Sequence, residues 1–232
     1  MMSHWSDRLA VFDTETTGLS TRDDRIVTAF VGLLGPEGSL SESHSWLADP
    51  GIVIPPAATA VHGVSTERAQ REGAPAVEVV TEVVTLLRDL QRQGIPLVVY
   101  NASYDLSLCY REALRYGIEP LSQPKPVIDP LVIDRALDPY RKGKRTLDAV
   151  ATHYGVVNPA AHNAEGDALT TGLVTRALVA RFPEHMADLA ALHDHQVDWA
   201  HSWAENFRRY LENQGRPARG LSGAWPLDDG LH

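Results

Sequence analysis

One cysteine, Cys109, stands in 232 residues. That scarcity excludes an internal disulfide framework and any zinc site built from several thiolates. No uninterrupted apolar stretch approaches the roughly 20 residues of a membrane-spanning helix. The opening segment, residues 1–9, carries no long apolar run of the kind found in a secretory leader. These absences together predict a cytoplasmic protein with no membrane attachment. Positive charge is also scarce: 21 Lys+Arg stand against 30 Asp+Glu, a formal net charge of −9. Proteins that grip long nucleic-acid duplexes usually show a basic excess or stripe, so tight non-specific duplex binding does not fit. The acidity limits the footprint on any nucleic acid to a few nucleotides, and bound divalent cations would add positive charge that the residue count omits.

The hydrophobic fraction, 44%, suits a globular chain with a sizeable core. Leu9–Asp13 (LAVFD) is a short apolar run of the kind a buried strand shows, followed by a turn over residues 14–20. Residues 26–34 predict a second strand, Gly35-Pro36-Glu37-Gly38 a tight turn, and residues 43–47 a third strand, which together make an antiparallel meander. Pro55 and Pro56 mark a loop. Val79, Val80, Val83, Leu86, Leu87 and Leu90 recur at helical spacing within residues 75–90. LVVY at residues 97–100 is a compact strand, and a helix over 103–116 ends at Gly117. A short strand at Val127 and Ile128, a helix through Ile133 and Leu137, and further helices over 146–154 and 164–182 complete an α/β pattern. Leu189, Leu192, Trp199, Trp203, Phe207 and Tyr210 stripe a last helix expected to pack onto its own domain. The Gly/Pro-rich tail from residue 215 reads as partly disordered, with Trp225 as a docking point.

Acidic residues gather at the ends of these elements. Asp13 and Glu15 alternate at the end of the first strand, so their side chains share a face. Asp105 follows an apolar strand by a few residues, and His162 and Asp167 stand in HNAEGD before an amphipathic helix. Each acid alone reads equally as a turn residue or a helix-start acid favoured by the helix dipole. Clustered oxygen ligands favour hard cations such as Mg²⁺ or Mn²⁺.

FDTETTGL, NASYD and HNAEGD, in this order and spacing, resemble the three exonuclease motifs of the DnaQ-like DEDDh family. Polymerase proofreading subunits, oligoribonuclease and RNase T belong to that family. The resemblance covers about residues 8–181, including a supporting RTLDAVATHYGV segment. It implies a ribonuclease H-like mixed sheet flanked by helices, with a C-terminal accessory helix. It also implies a 3′→5′ exonuclease domain over residues 1–182 and a helical extension and tail over 183–232. Carried over by position, Asp13, Glu15, Asp105 and Asp167 would bind two Mg²⁺ or Mn²⁺ ions, and His162 would be the general base. Histidine suits that role because its unperturbed pKa lies near neutrality. The implied substrates are 3′ ends of single-stranded DNA or short RNA, and the implied products are nucleoside 5′-monophosphates. Thr16, Thr17, Gly18 and Leu19 would line the pocket for the terminal nucleotide. His62 matches a small family element beside the substrate, and Asn101 matches the asparagine of the second motif. Tyr100 and Tyr104 depart from the family pattern, which has histidine and phenylalanine at those places in many members.

Arg141-Lys142-Gly143-Lys144-Arg145 is the basic cluster of the chain. Lys144 and Arg145 are expected to contact the phosphate backbone of the incoming strand, with a solvated loop as the alternative. His193, Asp194 and His195 are expected to be exposed, since neighbours on a helix point apart. A polymerase or other repair or replication partner, or a second copy of the chain, could dock on the aromatic stripe. The alternative overall reading is a catalytically silent nucleic-acid-binding or scaffold module on the same fold.

Overall fold

Strand β1 (Leu9–Thr16) is the spine of the molecule, whose computed structural model describes residues 4–158, 163–218, 220–229 and 231. Leu9, Ala10, Val11 and Phe12 are all sealed from solvent. Ala10 and Phe12 enter one apolar cluster while Leu9 and Val11 enter another. A strand covered on both faces reads as a continuous apolar run rather than an alternation, which is how this segment reads.

Antiparallel to β1 lies β2 (Ile26–Leu34), and β2 pairs in turn with antiparallel β3 (Leu40–Asp49). On the other side of β1, β5 (Leu97–Val98) and then β6 (Val127–Ile128) run parallel to it. The short β4 (Ala74–Pro75) pairs with β3, giving the order β4-β3-β2-β1-β5-β6. Helices α3 (Ala76–Arg92) and α4 (Ala102–Arg115) cover the face holding Ala10 and Phe12. The opposite face is covered by α5 (Pro130–Leu137), α6 (Leu147–His153) and α7 (Ala164–Arg181). This is the ribonuclease H-like mixed sheet flanked by helices that the motifs imply.

The loop expected after Pro55 instead holds two short helices, α1 (Pro56–His62) and α2 (Thr66–Glu72). Proline at the first helical position starts α1, where its missing N–H would be unpaired anyway. Ser65 caps α2 by accepting from the Arg68 N–H.

The accessory helix is α8 (Leu189–Asn213). Its inner face closes the open edge of β6 with side chains: His193 Nδ1 accepts from the Val127 N–H at 3.1 Å, and Gln196 Oε1 accepts from the Asp129 N–H at 2.7 Å. An uncovered strand edge invites mispairing, and this one is satisfied within the chain. His193 is therefore buried, contrary to its expected exposure, whereas Asp194 and His195 are exposed. Trp199 and Trp203 are half-buried, but Phe207 and Tyr210 continue the stripe into solvent at 36% and 54% exposure. After α8 the tail turns back, burying Trp225 and Leu227 in the cluster under α3 and α4. Among the described residues no helix is long and apolar enough to cross a membrane.

Candidate active site

β1 runs past the apolar core before it ends, so Asp13 and Glu15 emerge where the strand meets solvent. Alternation places them on the side of Leu9 and Val11, the side covered by α7. Asp167 lies in the first turn of α7, whose start is capped by Asn163 accepting from the Glu165 and Gly166 N–H groups. Farther along α7, a Cβ at Gly172 would come within 2.7 Å of Val11 and 2.8 Å of Leu34. That close approach draws α7 onto the sheet and brings its first turn to the strand end. One carboxylate oxygen from each of Asp13, Glu15 and Asp167 lies within 4.8 Å of the others.

Asp105 approaches from the opposite face. It sits one turn into α4 and is buried, with Oδ1 accepting from the Thr14 N–H at 3.1 Å and from the Thr14 hydroxyl. Thr14 points away from Asp13 and Glu15 because it is the intervening residue of the strand. Burial pushes the Asp105 carboxyl up to about 7, although the Thr14 hydrogen bonds pull the other way. Asp13 is raised well above the usual carboxylate range, first by burial and then by the charges of Asp105, Asp167 and Glu15. Four acids thus converge on one strand end, three as a cluster and Asp105 as a further charge acting on Asp13. Such a concentration of carboxylates, three half-buried and Asp105 buried, is costly without a cation and fits hard divalent ions.

A second carboxylate fixes the helix that carries Asp105. Asn101, just before α4, has a left-handed backbone (φ 58°, ψ 47°). Asp129 holds that conformation by accepting from the Asn101 N–H at 3.0 Å and the Ala102 N–H at 2.8 Å. It also accepts from the Leu131 N–H at 2.9 Å, capping α5, and from Trp225 Nε1 at 3.3 Å. Sequence reasoning missed Asp129, because Asp-Pro before an apolar helix reads simply as a cap.

The expected nucleotide pocket is a tightly braced loop. Asp24 accepts from the Thr17 hydroxyl and from the Ser20 N–H, both at 2.7 Å. Gly18 packs so closely over it that a Cβ would lie 2.6 Å from the Asp24 carboxylate. Thr16 Oγ1 shares a 2.8 Å hydrogen bond with Tyr104 Oη, and the Tyr104 hydroxyl also reaches the Gly18 carbonyl. The tyrosine that departs from the family pattern thus braces this loop against α4. Leu19 at the tip is 93% exposed.

His62 stands with Glu15 on the wall of a cleft of about 270 Å³ that also includes Trp46, Asn163 and Glu165. Its Nδ1 accepts from the Val64 N–H at 3.2 Å, while Nε2 is buried without a hydrogen-bond partner among the described residues. Burial holds the imidazole below its ordinary pKa. Two larger clefts, of about 600 and 590 Å³, run along α8 and touch none of the four acids. The smaller cleft beside Glu15 is the one with chemistry.

Lys144 is exposed, but Arg145 turns inward. Arg141 donates at 2.7 Å, and Arg145 also donates, to Asp134, which is fully buried and also accepts from Tyr154 Oη at 2.9 Å. Burial alone would raise the Asp134 pKa, but these donors hold it below the usual carboxylate range. Asn101 is exposed at the start of α4, in a small cavity with Asp129, Arg135 and Trp225. His162 lies outside the described residues.

An exonuclease family model, RNase T, matches residues 10–175. A DNA polymerase III subunit epsilon-like protein of Rhodobacter capsulatus is 35% identical over 165 residues, covering 69% of this chain and 22% of that protein. A PolC-type DNA polymerase III of Pediococcus pentosaceus is 30% identical over 165 residues, covering 71% of this chain and 11% of its own length. The chain therefore spans well under a third of these relatives. In fold it resembles an exonuclease I structure with a TM-score of 0.65 at 18% identity, over 82% of this chain and 43% of that one. Exonuclease I of E. coli in complex with a dT13 oligonucleotide gives a TM-score of 0.63 at 18% identity, over 77% of this chain and 42% of that one.

Proposed function

The chain belongs to the RNase T exonuclease family, and from that premise we propose that it is a metal-dependent 3′→5′ exonuclease acting on single-stranded DNA or short RNA. The observation that carries the reading is the convergence of Asp13, Glu15 and Asp167 within 4.8 Å, with Asp105 raising the charge density from behind. A silent scaffold has no use for so crowded a cluster of half-buried acids.

In this reading Asp13, Glu15, Asp105 and Asp167 hold two Mg²⁺ or Mn²⁺ ions. When bound, such ions supply Lewis acidity at the scissile phosphate and neutralise the charge that develops there. The chain's own residues do the rest. The braced loop of Thr16, Thr17 and Gly18 seats the terminal nucleotide, and Leu19 packs against its base. His62 lines the cleft beside Glu15, where it contributes to holding the substrate. His162 takes the proton of the attacking water, a role its side-chain type suits near neutral pH. Attack at the terminal phosphodiester then releases a nucleoside 5′-monophosphate. Residues 1–182 form the catalytic unit, and 183–232 are an extension that braces it. The polymerase names of the relatives support a replication or repair partner.

The test is digestion of 5′-labelled single-stranded DNA and of a short oligoribonucleotide with Mg²⁺ or Mn²⁺. Progressive shortening from the 3′ end of either substrate supports the reading. Both substrates left intact with both ions overturn it.

A further inference from the structure

The exonuclease family model matches residues 10–175, and residues 225–228, beyond that span, reach back to both the nucleotide-pocket loop and α4. Besides the Tyr104 contacts to Thr16 and Gly18, the loop that carries Gly18 and Leu19 has three further outward attachments among the described residues. Arg115 donates to the Arg22 carbonyl at 2.9 Å, Arg25 lies 3.8 Å from Glu112, and the Thr21 hydroxyl donates to Asp228 at 2.8 Å. The first two run to α4 directly, and the third runs to the tail. Asp228 is itself fixed to α4: its other oxygen accepts from Arg111 at 2.8 Å, and its backbone N–H donates to Ser107 Oγ at 2.8 Å. Ser107 and Arg111 are four residues apart, so they present one face of the helix. A single tail residue therefore bridges the nucleotide-pocket loop to the helix carrying Asp105.

Three residues earlier, Trp225 donates to Asp129, the carboxylate that holds the first turn of α4. Burial of Trp225 and Leu227 at 6% and 1% exposure is enough to seat the tail. The side chain of Asp228 contributes nothing to that apolar anchoring; both its oxygens are spent on the loop and the helix. Its ion pair with Arg111 is shielded, at 24% and 12% side-chain exposure, so water and salt weaken it less than an ordinary surface pair.

We propose that Trp225–Asp228 is a positioning strap, with Asp228 adding a tail-borne bridge to the direct contacts that hold the nucleotide-pocket loop against the Asp105 helix. Polar surface loops open at low free-energy cost, and small displacements of a positioned substrate cost large factors in rate. The strap suppresses that opening. Asp228 and Trp225 act through the loop and helix they hold. The inference rests on the exonuclease reading, since the loop is taken to seat the 3′-terminal nucleotide.

Thr21→Val cuts only the loop end of the bridge, and Asp228→Ala removes the Thr21 and Arg111 contacts while its backbone N–H keeps Ser107. Hydrogen exchange across residues 18–24 should quicken in both variants of the full chain. On a single-stranded oligonucleotide each should raise KM about fivefold with kcat within about twofold, and the double variant should be no worse than Asp228→Ala alone. Unchanged exchange in Thr21→Val overturns the proposal whatever the kinetics. Quickened exchange in an active enzyme whose KM stays unchanged also overturns it, because the loop then does not position substrate. If the unmodified protein digests no oligonucleotide, the exonuclease reading fails by itself. Exchange at the loop then still decides whether the strap exists.

Discussion

Asp13 holds a carboxyl group in surroundings that resist its ionisation. Burial and three neighbouring acids raise its pKa, and burial takes Asp105 to about 7. A carboxyl whose folded pKa exceeds its unfolded value binds its proton more tightly in the folded state. As pH rises from about 4 to about 7, the unfolded chain ionises first and the folded state loses stability. Metal-free protein should therefore melt at a lower temperature at pH 7.5 than at pH 5.5. Mg²⁺ should raise the melting temperature more at pH 7.5, where the site is charged. Calorimetry with and without chelator checks both signs, and a metal-free melting temperature that climbs with pH contradicts them. Asp13→Asn removes one charge from the cluster at nearly constant volume. Its melting temperature without metal should rise, its response to Mg²⁺ should shrink, and turnover should fall by about 10²-fold or more. The pairing of Asp13 with Glu15 was legible because strand alternation needs only local sequence. The approach of Asp105 from the other face was not: it depends on Thr14 turning inward, which the sheet decides.

Helix α4 is held by specific constraints at its start. Its start requires a left-handed residue at Asn101 and a buried acceptor at Asp129. Asn101→Gly should be neutral or slightly stabilising, whereas Asn101→Val should cost about 1–2 kcal/mol, because a branched side chain fits the left-handed region poorly. Asp129→Ala leaves the Asn101, Ala102 and Leu131 N–H groups without their acceptor and should cost about 3 kcal/mol. Urea denaturation measures both, and equal midpoints for wild type and Asp129→Ala would remove Asp129 from the account. The long helices were readable from apolar spacing, as in α3. The short α1 and α2 were not, since seven residues give too few turns for a periodic stripe and the Pro-Pro pair reads as a break. His193 misled for a related reason. Its ring is polar, but it replaces a missing strand partner at the edge of β6, a role visible only once that edge exists.

Across the whole molecule, the net charge of −9 and the inward turn of Arg141 and Arg145 leave few cations for a long strand. Lys142 and Lys144 are the exposed members of their cluster. Replacing both with glutamate should raise KM most at low salt and flatten its salt dependence. Arg145→Ala should act differently, lowering stability by about 3 kcal/mol because Asp134 loses a buried partner. Comparing salt titrations with denaturation midpoints separates the two roles; identical behaviour of both variants would refute that division. Motif order made the family legible from the start. The return of the tail to α4 was not, because the contacts of Asp228 join residues 107, 111 and 21 across most of the chain. The central claim is tested most directly by following a 5′-labelled single-stranded oligonucleotide with Mg²⁺, with chelator, and with Asp13→Asn. A ladder of 5′-labelled fragments shortening from the 3′ end is expected with Mg²⁺ only, at a rate about 10²-fold or more lower in the variant. An intact oligonucleotide, a single internal cut, or undiminished digestion in chelator would contradict it.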